Sequence, residues 1–575
     1  MFLQNIIKKY GLWIIVLIAL TLGIQTIHAP FFLDDAPQLE YVKSFSSVMD
    51  VFSADTFGFK RPAKNMIFLM VSHAGDHAVI AAHATSLALY ITAIFVIFFW
   101  FKLWIGNSAF TVAGTALWAF SPTIVSSVVW LSCANIMLSM ICILAGLICW
   151  EYAQRKQSPG DIKRSFTLWL LSIVAYILAF CAYEGAIIFP ALVIIQDIII
   201  MQRKLSRKSM LFYAGIGIIA ILLLVIRGRP YLPSNFCIMG ITDGRQLSFA
   251  SAYFTLSHIW QWIWPFGSQE ILGTFIWGKS APLWILSEAW VLLTGFCIVS
   301  FIFFRRFPAI IAGLLWALIS LVPMCNILPV RSGPFADYYL TLSSVGLSLA
   351  TIFSIKYMLE LLYHKNASTS RKRIIFLILF IITTTRLICV ASTFNWGRAW
   401  RDTNILLNRS IHARPYAYHA KARLAHILLL SNNLNLAKQL ALESLVDTED
   451  FVLPRNVLGT IATKTGHFYK STMWYKEVVD IDKKNMYAYL SLANLYNDHL
   501  NDKEQAEKYY RVVINNKQKS KYQKSAYINL SIIMGTAGKY EPTIILLKEA
   551  LNRFPESKAL KHNLKITYKN RQQSE

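Results

Sequence analysis

Asp34 and Asp35 are adjacent carboxylates in Phe31-Phe32-Leu33-Asp34-Asp35, just after an apolar run that ends near His28. Desolvating two neighbouring carboxylates at such an edge is costly unless they are paired or hold a cation. One of them could take the proton of an attacking hydroxyl as general base. A divalent cation, Mg or Mn, held through Asp35 could instead bridge to a phosphate. A solvated edge that caps a helix from Gln38 to Phe52 explains the same pair without chemistry, and both readings stay open at this point.

Lys60, Arg61 and Lys64 follow in the same loop, and Arg229, Arg245 and Arg331 lie in two later ones. A guanidinium matches phosphate oxygens as a fork, so Lys60, Arg61, Arg229 and Arg331 are candidate donor-phosphate ligands. Contact with lipid headgroups is the plainer alternative. Glu184 in Cys181-Ala182-Tyr183-Glu184, and Asp337 before Tyr338-Tyr339, are ionisable groups beside apolar runs, where function is the default reading. Residues of a watered turn are the alternative. His73, His77 and His83 lack a clear carboxylate partner and read as the polar lining of a cavity rather than a metal site.

These residues need a scaffold, and composition says which. The 575 residues are 55% hydrophobic and only 15% charged, with a mean hydropathy of +0.46. Soluble chains carry about 25% charged residues. This excludes a disordered chain, an ordinary cytosolic enzyme and a nucleic-acid binder inferred from charge alone. The net charge of +25 fits orientation in a membrane and contact with anionic lipids. The eight cysteines show neither CxxC nor metal spacing.

A spanning helix needs about 20 apolar residues. About eleven candidates follow, at 11–28, 79–101, 109–128, 130–150, 167–182, 185–201, 210–227, 283–304, 307–328, 338–362 and 373–393. The first reads as an uncleaved span rather than a signal peptide, because no small-x-small site precedes Pro30. The short, Trp-rich 251–266 run reads as interfacial or re-entrant. Lys and Arg cluster in 102–108, 151–166, 202–209, 305–306 and 363–372. With Lys8 and Lys9 inside, the positive-inside rule places all five of these loops inside. Loops 29–78, 228–282 and 329–337 and the C-terminal part then lie outside, periplasmic or lumenal.

After Thr393 the composition turns polar and helix-forming. Tetratricopeptide (TPR) repeats recur at about 34 residues. Leu424-Ala425, Ala437 and Ala441 fit one unit; Leu458-Gly459 and Tyr475 a second; Leu492-Ala493, Ala506 and Tyr510 a third; Leu530, Gly538, Ala550 and Pro555 a fourth. Residues 558–570 read as a capping helix. The expected fold is all-α: a polytopic membrane domain over 1–393, a connecting helix over 394–417, and a TPR-like α-solenoid over 418–575. Stacked repeats of this kind form a concave groove, which suits a protein segment.

The order of these features resembles the GT-C membrane glycosyltransferases, in particular the TPR-bearing group that includes the transmembrane-and-TPR O-mannosyltransferases and their bacterial relatives. The likeness runs from Asp34-Asp35 through Phe59-Lys60-Arg61-Pro62, His83 to Ser86, Ser121-Pro122, Trp130-Leu131-Ser132, Tyr183-Glu184 with Pro190 and Asp197, and Asp337-Tyr338-Tyr339-Leu340-Thr341-Leu342-Ser343, to Trp400-Arg401-Asp402. Tyr338, Tyr183 and Ala134 stand where the pattern has Arg, Lys and Arg.

The resemblance implies inverting transfer of a sugar from a polyprenyl-phosphate donor to an acceptor hydroxyl on the outer face. It casts Asp34 as base and Asp35 as its orienter or a metal ligand. Arg61 and Arg331 would stabilise the leaving phosphate, with His83, Glu184, Asp337 and Tyr339 in support. The acceptor would be a protein or a glycan, held by the TPR groove, and the location a bacterial inner membrane. Competing readings are a glycan or lipid glycosyltransferase of the same fold, a non-enzymatic TPR scaffold for envelope assembly, and a transporter or flippase. No P-loop supports ATP-driven transport.

Overall fold

The computed structural model describes every residue except 1, 55–59, 156–161, 205, 228–248, 265–282, 326–335, 364–368, 414–416, 446–450, 517–520 and 575. The chain divides into two compact units, Met1–Ala417 and Tyr418–Glu575. Both are helical, with no strand among the described residues.

Eight helices of the first unit are long and apolar enough to cross a membrane: Ile6–Thr26, Gly75–Ile105, Leu131–Gln154, Ser165–Ala182, Ser209–Ile226, Trp284–Phe303, Asp337–Leu362 and Thr369–Ala399. A ninth candidate is the pair Ala109–Ala119 and Pro122–Val129, bent by 52°. Pro122 lacks the N–H that would continue the ladder, which accounts for the bend. The count is lower than the expected eleven for two local reasons. The 185–201 run breaks into a tight turn Glu184–Ile188, the short helix Phe189–Ile194 and a wide turn Ile195–Ile200. The 307–328 run yields a helix of only 14 residues, Pro308–Leu321, and Pro323 follows its end.

Large apolar side chains remain exposed on several of these helices, among them Ile226, Val291, Phe301 and Phe376. Inside, Trp100, Trp118, Trp150 and Trp316 are fully buried. Pro308–Leu321 packs on Leu340–Leu362 through two facing glycines. A Cβ on Gly346 would lie 2.5 Å from the Gly313 carbonyl oxygen, so the backbones touch as small residues allow. That contact anchors the helix whose first turn carries Asp337–Tyr339.

The second unit stacks four helix pairs and a final helix. The pairs are Tyr418–Leu430 with Leu434–Glu443, Val452–Lys464 with Phe468–Ile481, Met486–Asp498 with Lys503–Ile514, and Lys521–Thr536 with Tyr540–Arg553; Lys558–Ser574 closes the stack. One turn conformation recurs inside every pair. Asn432, Gly466, Asn501 and Gly538 all adopt positive φ, between 51° and 78°. Asn and Gly are the residues that tolerate this left-handed region. Asn433 and Asp502 then cap the second helices through the backbone N–H of Leu436 and Gln505. Small residues, Ala437, Gly459, Ala493 and Ala506, let the pairs close. Together these make a TPR-like solenoid.

Candidate active site at the Asp34–Asp35 turn

The first long helix ends at Thr26, and the chain turns back on itself. A ring nitrogen of His83, Nε2, holds the Ala29 carbonyl at 2.7 Å. Leu33 takes φ +48°, a strained conformation for leucine that costs on the order of 1 kcal/mol and clusters at functional sites. The turn sets Asp34 immediately before the helix Asp35–Val42.

The two carboxylates have opposite environments. Asp35 is buried at 2% exposure. Its Oδ1 accepts from the Ser132 backbone N–H at 2.9 Å and the Ser132 hydroxyl at 2.7 Å, and its Oδ2 accepts from the Phe32 N–H at 3.2 Å. Burial pushes the Asp35 carboxyl up to about 7, against the lowering pull of Ser132. The helix bent at Pro122 leads into Trp130–Ser132, so that kink delivers the hydroxyl that holds Asp35.

Asp34 is about one-third exposed, and its Oδ2 meets Lys64 Nζ at 3.4 Å. Its Oδ1 is buried and has no hydrogen-bond partner among the described residues. An unpaired buried carboxylate oxygen is costly and calls for a reason. Lys64 is itself buried on the helix Pro62–Ser72, and burial pulls its ammonium below the usual lysine range.

Arg61 comes from the start of the same helix. Its Nε and Nη2 donate to both oxygens of Glu184 at 2.8 and 2.7 Å. Its guanidinium lies 5.0 Å from the centre of the Tyr183 ring, and the nearby Glu184 carboxylate outweighs the cost of burial to hold Arg61 charged. Lys60, one residue earlier, is exposed.

An aromatic wall continues from this pair. Trp130 packs edge-on against Phe32 at 5.4 Å and Tyr338 at 5.8 Å, and Tyr338 meets Tyr339 at 4.7 Å. Asp337 is buried, and Gln261 of the Ser251–Ile263 helix donates to its Oδ1. Tyr183, Tyr338, Tyr339, Ser139 and Ser320 line a cavity of about 20 Å³, room for roughly one water. The Trp130 indole N–H and Asn135 Oδ1 have no partner nearby among the described residues.

The structure therefore brings Asp34, Asp35, Arg61 and Glu184 into one neighbourhood, with Asp337 and Tyr339 along its aromatic wall. His83 supports the turn from behind, and Lys60 stands at the rim. Arg229, Arg245 and Arg331 lie outside the described residues, as does Phe59. Asp197 does not join the site: it pairs with Arg203 at 2.7 Å at the far end of the unit. The donor set around Asp35 does not fit a divalent cation. Both its oxygens are taken by Ser132 and Phe32, and no group of three or more His, Cys, Asp or Glu side chains converges among the described residues.

Reasoning from residue types overlooked the Ser132 clasp, the Gln261 partner of Asp337, and Lys64 as the direct partner of Asp34. Ser132 carried a sequence signal in its place in Trp130-Leu131-Ser132, and Lys64 in its membership of the Lys60, Arg61 and Lys64 cluster. Gln261 gave none.

No family model matches the chain. No curated protein matches it either. Similar solved structures include that of YrrB, described as "a TPR protein with an unusual peptide-binding site", at 11% identity, with a TM-score of 0.26, covering 29% of this chain and 84% of that one.

Proposed function

We propose that this protein is an integral membrane glycosyltransferase of GT-C type that transfers a sugar, with inversion, from a polyprenyl-phosphate donor to an acceptor hydroxyl. The observation that carries this reading is the asymmetry of the aspartate pair. A buried, fully hydrogen-bonded Asp35 fixes the turn, and an adjacent Asp34 keeps a carboxylate oxygen without a partner.

In this reading the acceptor oxygen attacks the anomeric carbon, and the new C–O bond forms as the bond to the carrier phosphate breaks. Asp34 takes the hydroxyl proton. The phosphate leaves as an anion beside Lys64 and Arg61, and the Arg61 charge, held by Glu184, is already in place when negative charge develops. Glu184 keeps Arg61 oriented, and Asp35 keeps Asp34 at the end of its turn. No step needs a metal. The site faces the periplasm or lumen, the N-terminus lies in the cytoplasm, and a bacterial inner membrane fits best. The solenoid offers a groove for a protein acceptor, which raises its effective concentration.

The test is Asp34→Asn and Asp35→Asn, each beside a deletion and wild type, with glycans on envelope proteins and lipids profiled by mass spectrometry. The expected result is one sugar mass lost in the deletion and in a folded, membrane-inserted Asp34→Asn variant; the molecule that loses it is the acceptor. A deletion that changes no glycan in expressing cells would overturn the enzyme reading and favour a scaffold.

A further inference from the structure

A second cavity lies away from the aspartate turn, among the helices Ser251–Ile263, Leu283–Phe303, Pro308–Leu321, Leu340–Leu362 and Thr369–Ala399. It measures about 530 Å³, inside the range of roughly 300–1,000 Å³ typical of ligand pockets. Its walls are almost wholly apolar, with Leu347, Ala350 and Ile381 among them, and one cation, Arg386, stands in it.

Arg386 stacks on Trp262 at 3.7 Å from the ring centre and donates to the Trp262 carbonyl at 3.0 Å. No carboxylate pairs with it among the described residues. A guanidinium on an apolar helix is costly without an anion. The groove is also polarised. Arg386 sits beside Trp262, next to Gln261 and hence near Asp337. Ile381 lies earlier on a helix that runs toward the aspartate site, and Ser354 lies deeper than Leu347 on the antiparallel neighbour. The apolar lining therefore runs on the order of 10 Å away from the charge, at 1.5 Å per residue.

We infer that this groove holds one anionic membrane phospholipid, its phosphate on Arg386 and one acyl chain along Leu347, Thr351 and Ile381. Charge complementarity selects a headgroup of net negative charge over a zwitterionic one, whose own ammonium offsets its phosphate, and the hydrocarbon walls select a chain. The described lining offers no carboxylate that could orient a sugar, which favours a resident phospholipid over the sugar carrier. Its occupancy would brace the Ser251–Ile263 helix, and through Gln261 the position of Asp337. The inference rests on the membrane reading and not on sugar transfer: loss of the protein from alkali-washed membranes would remove both, whereas absent glycan chemistry would leave this proposal standing.

The experiment uses the full chain in a mild nonionic detergent. Phosphatidylglycerol, phosphatidylcholine and a polyprenyl phosphate are added separately and in competition, with bound lipid counted by native mass spectrometry and thermal unfolding followed in parallel. We expect one retained phosphatidylglycerol, with phosphatidylcholine retained at least tenfold more weakly. Arg386→Gln should weaken retention about tenfold to a hundredfold, the loss of one charge-assisted contact. Arg386→Lys should keep it in part, and Thr351→Trp should block it by filling the groove. Equal retention of the two phospholipids by wild type overturns the proposal, as does unchanged retention in folded Arg386→Gln. Displacement of phosphatidylglycerol by polyprenyl phosphate at matched concentration also overturns it, and makes the groove a carrier site. If Arg386→Gln does not fold, the wild-type comparison decides.

Discussion

Among the described residues, the first unit holds an ionic cluster at each end of the helix Ala134–Gln154, about 30 Å apart at 1.5 Å per residue. At one end, Arg203 donates to Asp197 at 2.7 Å and to both oxygens of Glu151 at 2.8 and 2.9 Å. Trp150 and Tyr213 also donate to Asp197, at 2.9 and 2.6 Å. Glu151 and Asp197 are buried, and their oxygens are paired. At the other end, Lys64 approaches Asp34 only to 3.4 Å, and one oxygen of Asp34 has no partner among the described residues. The closed cluster has the form of a structural lock. The open one has the form of a site whose last partner arrives with a substrate.

Breaking the lock should give the largest effect. Arg203→Met strips buried Asp197 of its cation and leaves buried Glu151 only the longer contact to Arg155 at 3.4 Å, and removing one partner of such a network typically costs about 3–5 kcal/mol. The expected outcome is a sharp fall in the thermal stability of the purified chain. Asp34→Asn should shift the melting temperature little, while the proposed sugar transfer falls about a hundredfold or more. Equal losses of stability in both variants would erase the distinction between the clusters.

The pH dependence of stability sharpens the same contrast. In the folded chain the Asp35 carboxyl is raised from 3.8 to about 7, so between those values the folded state binds more protons than the unfolded state. Stability therefore falls as pH rises through this window, by a total on the order of 4 kcal/mol. The contribution is fully present below about pH 4 and lost above about pH 7. Asp35→Asn cannot ionise and should flatten that slope, measured by chemical unfolding across the window. A slope unchanged in Asp35→Asn would remove Asp35 as its source.

A smaller effect is expected at the glycine crossing that sets the Asp337–Tyr339 turn. In Gly346→Ala the new methyl meets the Gly313 carbonyl at 2.5 Å and the Trp316 ring at 2.6 Å. The helices must part, at a cost of about 1–3 kcal/mol. Because the movement reaches Asp337, activity should fall with stability. Gly295, on Leu283–Phe303, has nothing within 4 Å of its Cβ position, and its replacement by Ala serves as the clash-free control, neutral or stabilising by up to about 1 kcal/mol.

The two units differ in how much of this could be read from residues alone. The solenoid was legible because its information is local and repeated: small residues at Ala437, Gly459 and Ala506, with Gly538 in the last pair. The apolar runs likewise announced the long helices, though not where Pro122 would bend one or where Glu184 and Pro323 would end others. The site was only half legible. Asp34-Asp35 stood out by adjacency, but their unequal roles depend on Ser132, which lies 97 residues away from Asp35 in sequence. Arg61 stood out as a cation, and its partner Glu184 is 123 residues distant. Gln261 reaches Asp337 from a segment with no charge pattern at all. Residue type marks a candidate group, whereas only the packing of distant helices decides which of its hydrogen-bonding positions are already filled.

The smallest effect lies in the repeats and tests their local logic. Gly466 has φ +78°, and nothing lies within 4 Å of its Cβ position. Any cost of Gly466→Ala therefore comes from the backbone, about 1 kcal/mol. Gly466→Asn should cost less, because Asn432 and Asn501 hold the same place in their own pairs. Asn432→Gly, at φ +61°, should be neutral or stabilising by a few tenths of a kcal/mol, reduced by the added freedom of the unfolded chain. Hydrogen exchange in the full chain reads this locally: Gly466→Ala should lower protection in Val452–Lys464 and Phe468–Ile481, with the first unit unchanged. If Ala and Asn at 466 behave alike, turn conformation does not set repeat stability, and packing of Gly459 against Tyr475 becomes the controlling contact.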